Sequence, residues 1–333
     1  MKPPRFWFRE PDRPGLWPAL LSPFAALYAA GTRRRLAKAA RERVGVPVIA
    51  IGNVNMGGTG KTPTVIALVQ ALIEMGQRPA VVTRGYGGSI TGPYRVNAAK
   101  DRAEAVGDEA LLVSAFAPVF VSRDRTPGAK MAVAEGHDVI VLDDALQNPA
   151  LHHDLTITVV DTEVGFGNGR VCPSGPLREP VAEALQRTDI VVAIGKSEEQ
   201  GHLRGTWPIL ADKPMIGALL QPLETGFSWG GLRAYAFAGI GRPQKFFKSL
   251  KEAGAELIST RSFDDHAPLS LAVLKRMQAE AWAKAANLVT TEKDAARLPP
   301  EMRTEVMTFP VRLIFDDPER VNGSLSALFV KRR

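Results

Sequence analysis

The stretch VPVIAIGNVNMGGTGKTPTVIALVQALIEMG (46–76) decides the reading of the chain. Its first part, VPVIAIGN (46–53), is a short continuous apolar run of the kind a buried parallel strand needs. Its last part, TVIALVQALIEMG (64–76), repeats Val65, Ile66, Val69, Leu72 and Ile73 at helical spacing. Between them lies NMGGTGKTP (55–63), and strand, glycine-rich loop and helix in that order are the context of a phosphate-binding loop. Gly57, Gly58 and Gly60 let backbone N–H groups converge on phosphate oxygens, and the helix N-terminus adds its positive end. Lys61 is placed to bridge the outer phosphates and Thr62 to ligate Mg²⁺, while Pro63 is harmless in a first helical turn. Asn55, Met56, Gly57, Gly58, Thr59, Gly60, Lys61 and Thr62 are thus the nucleotide-binding set. The pattern G-x-x-x-x-G-K-[ST] begins here with Asn55 instead of glycine, and a left-handed Asn would let the turn survive. The bland alternative, a chance glycine-rich turn, is disfavoured by the flanking strand and helix.

Working outward, DVIVLDD (138–144) sets four apolar residues before Asp143 and Asp144, the Walker B pattern that brings a carboxylate to the Mg²⁺ at a strand's C-terminal end. PAVVTRG (79–85), PVFVSRD (118–124), TITVVD (156–161) and DIVVAIG (189–195) read as further parallel strands separated by helical runs. The expected fold is therefore α/β, a P-loop NTPase-type doubly wound and mostly parallel sheet. Prolines 208, 214 and 222 and a Gly-Gly pair mark a linker around 205–234. AYAFAGIG (234–241), a helix near 243–253, AELISTRSF (255–263), a helix near 268–286 and NLVTT (287–291) then predict a second, smaller α/β unit. The boundaries expected are 1–43 for a basic N-terminal segment, 44–222 for the P-loop domain and 223–333 for the smaller domain.

The composition fits an ordinary globular protein, at 45% hydrophobic and 23% charged residues over 333 positions. Cys172 is the only cysteine, which excludes an internal disulfide framework and a Cys-based zinc site. The net charge of +7 is local: residues 1–43 hold ten Lys/Arg against three acids, and the rest of the chain balances. A protein-wide nucleic-acid surface is thereby disfavoured. Within that segment, 19 uncharged residues (14–32) lie between Arg13 and Arg33. Pro14, Pro18 and Pro23 and the marginal length argue against a spanning helix, and Tyr28 against a signal cleavage site. Trp7, Phe8, Trp17, Phe24 and Tyr28, with the cations from Arg33 to Arg43, favour a segment lying on an anionic membrane surface. A helix packed on the protein's own core is the competing reading.

A P-loop alone does not settle function. Met56 stands where membrane-associated switch ATPases carry a signature Lys. Neither Gly195-Lys196-Ser197-Glu198 nor Thr291-Glu292-Lys293-Asp294 fits a GTPase base-reading motif. GNVNMGGTGKTP (52–63), TRGYGG (83–88), VGDEALLV (106–113), SRDR (122–125), LDDALQNPALHHDL (142–155), GFGNGRVCPSGPLREP (165–180), FDDHAPLS (263–270) and TTEKDAARL (290–298) follow in the order seen in the tetraacyldisaccharide 4′-kinases. The chain resembles that family from about residue 5 to 320, and the N-terminal segment resembles its membrane-docking helix.

The resemblance implies ATP- and Mg²⁺-dependent phosphorylation of the 4′-hydroxyl of tetraacyldisaccharide 1-phosphate, a lipid A precursor, by a peripheral protein on the cytoplasmic face of the bacterial inner membrane. It implies Asp108 as the base, although by itself an Asp there reads as a helix N-cap. His266 would pair with Asp108. Arg125 and Arg178 would stabilise the transferring phosphoryl group, Asp143 and Glu179 would ligate Mg²⁺ with Thr62, and Asp144 would act behind the metal or near the substrate. Family members often have Gly and Phe where this chain has Ala145 and Leu146. His152 and His153 read as surface or polar-network residues. Two rival classes are a P-loop kinase for another polar lipid or sugar and an ATP-driven switch.

Overall fold

The structure is a computed structural model and describes residues 3–38, 41–265, 267 and 269–330. Its strands are β1 (Val48–Gly52), β2 (Pro79–Thr83), β3 (Tyr94–Arg95), β4 (Val119–Val121), β5 (Val139–Leu142), β6 (Leu155–Asp161) and β7 (Ile190–Ile194). These are followed by β8 (Met215–Pro222), β9 (Arg233–Ala238), β10 (Glu256–Ser262), β11 (Asn287–Thr291), β12 (Met307–Phe309) and β13 (Val311–Phe315). The helices are α1 (Leu16–Leu20), α2 (Ser22–Ala37), α3 (Lys61–Glu74), α4 (Ala103–Val106), α5 (Asp108–Val113) and α6 (Arg125–Ala134). Then come α7 (Val181–Gln186), α8 (Ser197–Thr206), α9 (Pro243–Glu252), α10 (Leu271–Ala283), α11 (Glu292–Ala296) and α12 (Pro318–Val330).

Nine strands form one sheet in the order β13-β8-β7-β6-β1-β5-β2-β4-β3, parallel except at its two edge strands. All six strands expected from the apolar runs of the larger domain are present, and buried strands such as β1 and β5 need those runs because helices cover both faces. The strand leading to the glycine-rich loop lies between β6 and β5, so the ends of both neighbours flank the loop. Helix α3 follows the loop and buries Val65, Leu68, Val69 and Leu72 against the sheet. At about 1.5–3 kcal/mol for each side chain, that burial anchors the loop.

The smaller sheet runs β10-β9-β11-β12, all parallel, and packs on α9 and α10. Two expectations are corrected here. The region read as a linker at 205–234 contains β8, an eight-residue strand pairing with β7. The smaller domain also ends before residue 333: β13 returns antiparallel to β8, and Leu313, Val321 and Leu325 join the core of the large sheet. The free edge of β8 supplies the ladder partner that β13 needs, which no local pattern announces.

At the N-terminus a short 3₁₀ turn (Arg5–Phe8) precedes α1 and α2. Ala25, Ala29 and Thr32 of α2 are buried, the alanines against a core that includes Val54, Leu146 and Phe166. The large side chains point the other way, with Trp17 65% and Leu27 73% exposed alongside Leu16, Leu20 and Phe24. The two competing readings of this segment each describe one face of it. Trp7, expected as a membrane anchor, instead donates its indole N–H to Pro173 O at 3.0 Å, and Asn168 binds the carbonyls of Phe6 and Trp7. Among the described residues no helix is long and apolar enough to cross a membrane.

Candidate active site

The glycine-rich loop takes its positive backbone angles at Gly57 (φ 121°) and Gly60 (φ 91°), and Asn55 stays outside the left-handed region, against expectation. Asn55 is fixed instead by its side chain, which donates to Gly165 O at 3.0 Å, and Met56 N donates to Pro176 O at 2.6 Å. The turn is thus held by the 165–176 loop and needs no strained residue at its start. A methyl group on Gly57 or Gly58 would meet nothing within 4 Å, so the concave side of the loop is open. At Gly60 it would strike Ile194 Cδ1 at 2.5 Å.

Lys61 Nζ lies 3.2 Å from Asn53 Oδ1 and 3.5 Å from Asp144 Oδ1. Asn53 Nδ2 also donates to Gly57 O, which ties strand end, loop and lysine together. Asp144 sits at φ 49°, and Arg178 Nη1 donates to its Oδ1 at 2.8 Å. Burial alone would push Asp144 upward, but Lys61 and Arg178 outweigh it and hold the carboxyl below its ordinary range. Arg178 also contacts Gln147 Oε1 at 3.2 Å, Gln147 Nε2 donates to Glu179 Oε1 at 2.9 Å, and Arg187 Nη2 lies 2.5 Å from Glu179 Oε2. A continuous polar chain therefore runs from Lys61 to Arg187, with Glu179 buried at its far end.

Asp143 lies in a different electrostatic setting one residue earlier. Thr83 Oγ1 donates to Oδ2 at 3.3 Å, while buried Oδ1 has no hydrogen-bond partner among the described residues. Burial, followed by the charges of Glu109 and Asp144, pushes its carboxyl up to about 7. Arg125 is also buried, and its Nη2 donates to the backbone O of Asp143 at 2.9 Å. Burial brings its guanidinium down to about 10 despite Asp143 and Asp144. Arg125 Nε and Nη1 and Thr59 Oγ1 have no partners among the described residues. An uncompensated buried carboxylate beside unused cationic donors suits a divalent cation with phosphate oxygens.

Asp108 is the first residue of α5, and Gly107 (φ 90°) holds the N-cap position expected for the Asp. Its Oδ1 accepts from Glu109 N at 2.9 Å. Asp108 lines a cavity of ≈520 Å³ with Tyr86, Arg102, Ser270 and Arg297. Glu109 lines the neighbouring cleft of ≈250 Å³, which contains residues 58–63, Asp161, Arg242, Lys245 and Lys293. Both cavities are lined by residues of the two domains, and α5 contributes Asp108 to the one and Glu109 and Leu112 to the other. His266 lies outside the described residues. Of the expected set, the structure brings together Lys61, Asp144, Arg178 and Glu179 through hydrogen bonds and ion pairs, and Arg125 with Asp143.

By sequence pattern Asn53, Arg187 and Lys293 have no assigned role and Gln147 no definite one. Asn53 stands inside the quoted strand-to-loop motif and could have been found there. Arg242 and Lys245, paired with Asp161 more than 80 residues away, carry no local signal. His152 Nε2 contacts Arg43 Nη2 at 2.8 Å, while His153 is driven down to about 4 by burial and by neighbouring His152.

The model of the tetraacyldisaccharide-1-P 4′-kinase family matches residues 17–329. A tetraacyldisaccharide 4′-kinase of Dinoroseobacter shibae is 50% identical over 330 residues, covering 99% of this chain and 98% of its own. That of Jannaschia sp. is 53% identical over 317 residues, covering 95% and 96%. A crystal structure of LpxK from Aquifex aeolicus in complex with ATP superposes with a TM-score of 0.74 at 24% identity, over 94% of this chain and 100% of that one. The fold is shared across that distance.

Proposed function

Because the chain belongs to the tetraacyldisaccharide-1-P 4′-kinase family, we infer that it transfers the γ-phosphoryl group of ATP to the 4′-hydroxyl of tetraacyldisaccharide 1-phosphate, a step of lipid A biosynthesis. The residue assignment is carried by one observation, the contrast between Asp144, ion-paired with two cations, and Asp143, buried beside it with no ion pair among the described residues. The loop 55–62 cradles the phosphates, and Lys61, oriented by Asn53 and Asp144, faces the outer ones. Thr62, Asp143 and Glu179 would hold Mg²⁺, which when bound would supply charge neutralisation at the phosphate oxygens. Glu179 keeps lone pairs for this beyond those used by Gln147 and Arg187. Arg125 offers its unused N–H groups to the transferring phosphoryl group, and Arg178 is aimed there by Asp144 and Gln147.

Asp108 accepts the proton of the 4′-hydroxyl as the new O–P bond forms. The bond from the γ-phosphorus to the bridging oxygen breaks, and its electron pair leaves with ADP. His266 pairs with Asp108 in this reading. The acceptor headgroup enters the cavity that Asp108 lines, and the two domains exclude water around both cavities.

The protein lies on the cytoplasmic face of the inner membrane. Leu16, Trp17, Leu20, Phe24 and Leu27 enter the lipid interface, and Arg34 and Arg35 meet anionic headgroups. Deleting residues 1–43 would also remove Ala25 and Ala29 from the core, so point variants are the cleaner test. Trp17→Ser with Leu27→Ser should lower binding to vesicles containing anionic lipid by about 100-fold or more with Tm unchanged, since each side chain contributes about 1.5–3 kcal/mol on burial. Unchanged sedimentation with vesicles would remove this face from the membrane.

The activity is tested by transfer of ³²P from γ-labelled ATP to tetraacyldisaccharide 1-phosphate in detergent micelles with Mg²⁺. A labelled bisphosphate lipid, lost in Lys61→Ala, is the expected product. ATP binding without transfer to this lipid would leave a kinase for another acceptor or an ATP-driven switch.

A further inference from the structure

The motif TTEKDAARL takes no part in the chemistry above, yet it carries a half-buried cation. Lys293 is the second residue of α11, whose N-cap Thr291 accepts from Asp294 N through its hydroxyl at 3.1 Å. Asp294 is wholly buried and accepts from Gly239 N and from the Arg297 guanidinium, so α11 is locked to the small sheet. From this fixed base the Lys293 side chain reaches the large domain. Its Nζ lies 3.1 Å from Glu109 Oε1 in α5 and 3.5 Å from Asp265 Oδ1 in the loop before His266.

Burial would pull the ammonium down, but Glu109, Asp108 and Asp265 together raise it. The lysine is thus a permanent cation, and its side chain is only 18% exposed. Glu109 and Asp265 keep 30% and 36% of their side chains exposed, so each pair alone adds little to stability; the shielded ammonium instead holds two carboxylates of different domains at a fixed distance, and removing it sets their like charges against each other. Of the three carboxylates around it, Asp108 and Glu109 begin α5, and Asp265 belongs to the other domain.

We propose that Lys293 is a positioning residue for phosphoryl transfer: its ammonium ties the start of α5, which carries Asp108, to the Asp265 loop of the small domain and so sets the carboxylate that takes the acceptor proton. This rests on the reading of Asp108 as that carboxylate. Lys293 also lines the cleft of the glycine-rich loop, so a direct contact with ATP is the alternative the test must separate.

The test uses the full chain with Lys293→Met and Lys293→Arg, each made alone and with Asp108→Asn, and measures kcat and both KM values. Lys293→Met should lower kcat about 30-fold with both KM values changed by less than about threefold, and Lys293→Arg should recover most of the loss. With Asp108→Asn already present, Lys293→Met should lower kcat by no more than about twofold, because the two act as a unit. Unchanged kcat, a raised KM for ATP at intact kcat, or full multiplication of the two effects would overturn the proposal. Should Lys293→Met fail to fold, Glu109→Gln and Asp265→Asn each cut one arm and keep the ammonium. Each should lower kcat several-fold at unchanged KM, and no effect from either would equally overturn it. Wild-type activity in Asp108→Asn alone would instead remove the base assignment, leaving the two failures distinct.

Discussion

The strand carrying the glycine-rich loop is flanked by two buried aspartates, each at the C-terminal end of its strand region, with opposite electrostatics. Asp143, just past β5, is matched by no ion pair among the described residues. Asp161, the last residue of β6, is matched twice: Arg242 Nη1 lies 2.8 Å and Lys245 Nζ 2.6 Å from its Oδ2. Both cations come from the start of α9 in the small domain, where the helix dipole disfavours positive charge, so Asp161 relieves them as they relieve it. One side of the loop is closed by the protein's own cations and joins the domains. The other has no ion pair among the described residues. A carboxylate at a strand end therefore does not identify a metal site until its neighbours are counted.

The sharpest way to break this comparison is to neutralise Asp143. Asp143→Asn should lower transfer by about 10³-fold or more, consistent with loss of the metal's charge at the transition state. The same variant should be more stable than the parent without metal at pH 8, by about 1–3 kcal/mol, because an uncompensated buried charge is gone. Denaturant melts with EDTA, beside the transfer assay, test both halves. A stable parent and a destabilised variant would mean that Asp143 is already satisfied.

The opposite result is expected on the other flank. Asp161→Asn leaves Arg242 and Lys245 with the more exposed Glu163 as counter-charge and should destabilise the protein by about 2 kcal/mol. Transfer should fall by about tenfold, as the domains lose a fixed relation around the cleft. A loss of transfer as large as that of Asp143→Asn, with stability intact, would make Asp161 a metal ligand and dissolve the contrast.

The smallest effect is in pH dependence. The folded value of Asp143, about 7, lies above its unfolded value near 3.9, so the folded state binds the proton more tightly. Its contribution is full below the unfolded value and is lost as pH rises through about 7. Without metal, the stability of the parent relative to Asp143→Asn should therefore decline from pH 5 to 8, and saturating Mg²⁺ should flatten the difference. A parent that gains on the variant over that range would reverse the sign and the argument.

Much of this architecture was legible locally. The apolar runs ending in Gly52, Thr83, Leu142, Asp161 and Ile194 are strands where the pattern put them, because a sheet buried on both faces requires such runs. The loop 55–62 was legible because phosphate binding demands glycine, lysine and threonine within one turn. Asn55 holds the turn by a different device from the left-handed backbone its residue type suggests: its side chain bonds to Gly165, 110 residues away. The return of β13 to the large sheet was illegible because a strand's partner is chosen by the free edge available in space.

By itself the sequence determined the α/β sheet, the phosphate loop, the Asp143-Asp144 pair and a basic apolar N-terminus, since each is encoded by side chains within a few turns or strand residues of one another. Only the tertiary structure decided which aspartate is compensated, that Gln147 links Arg178 to Glu179, that Lys293 meets Glu109, and that the alanines of α2 turn inward while Trp17 and Leu27 turn out. Those contacts join residues separated by tens to hundreds of positions. Their strength depends on burial and on the charges packed around them, which chain order does not specify.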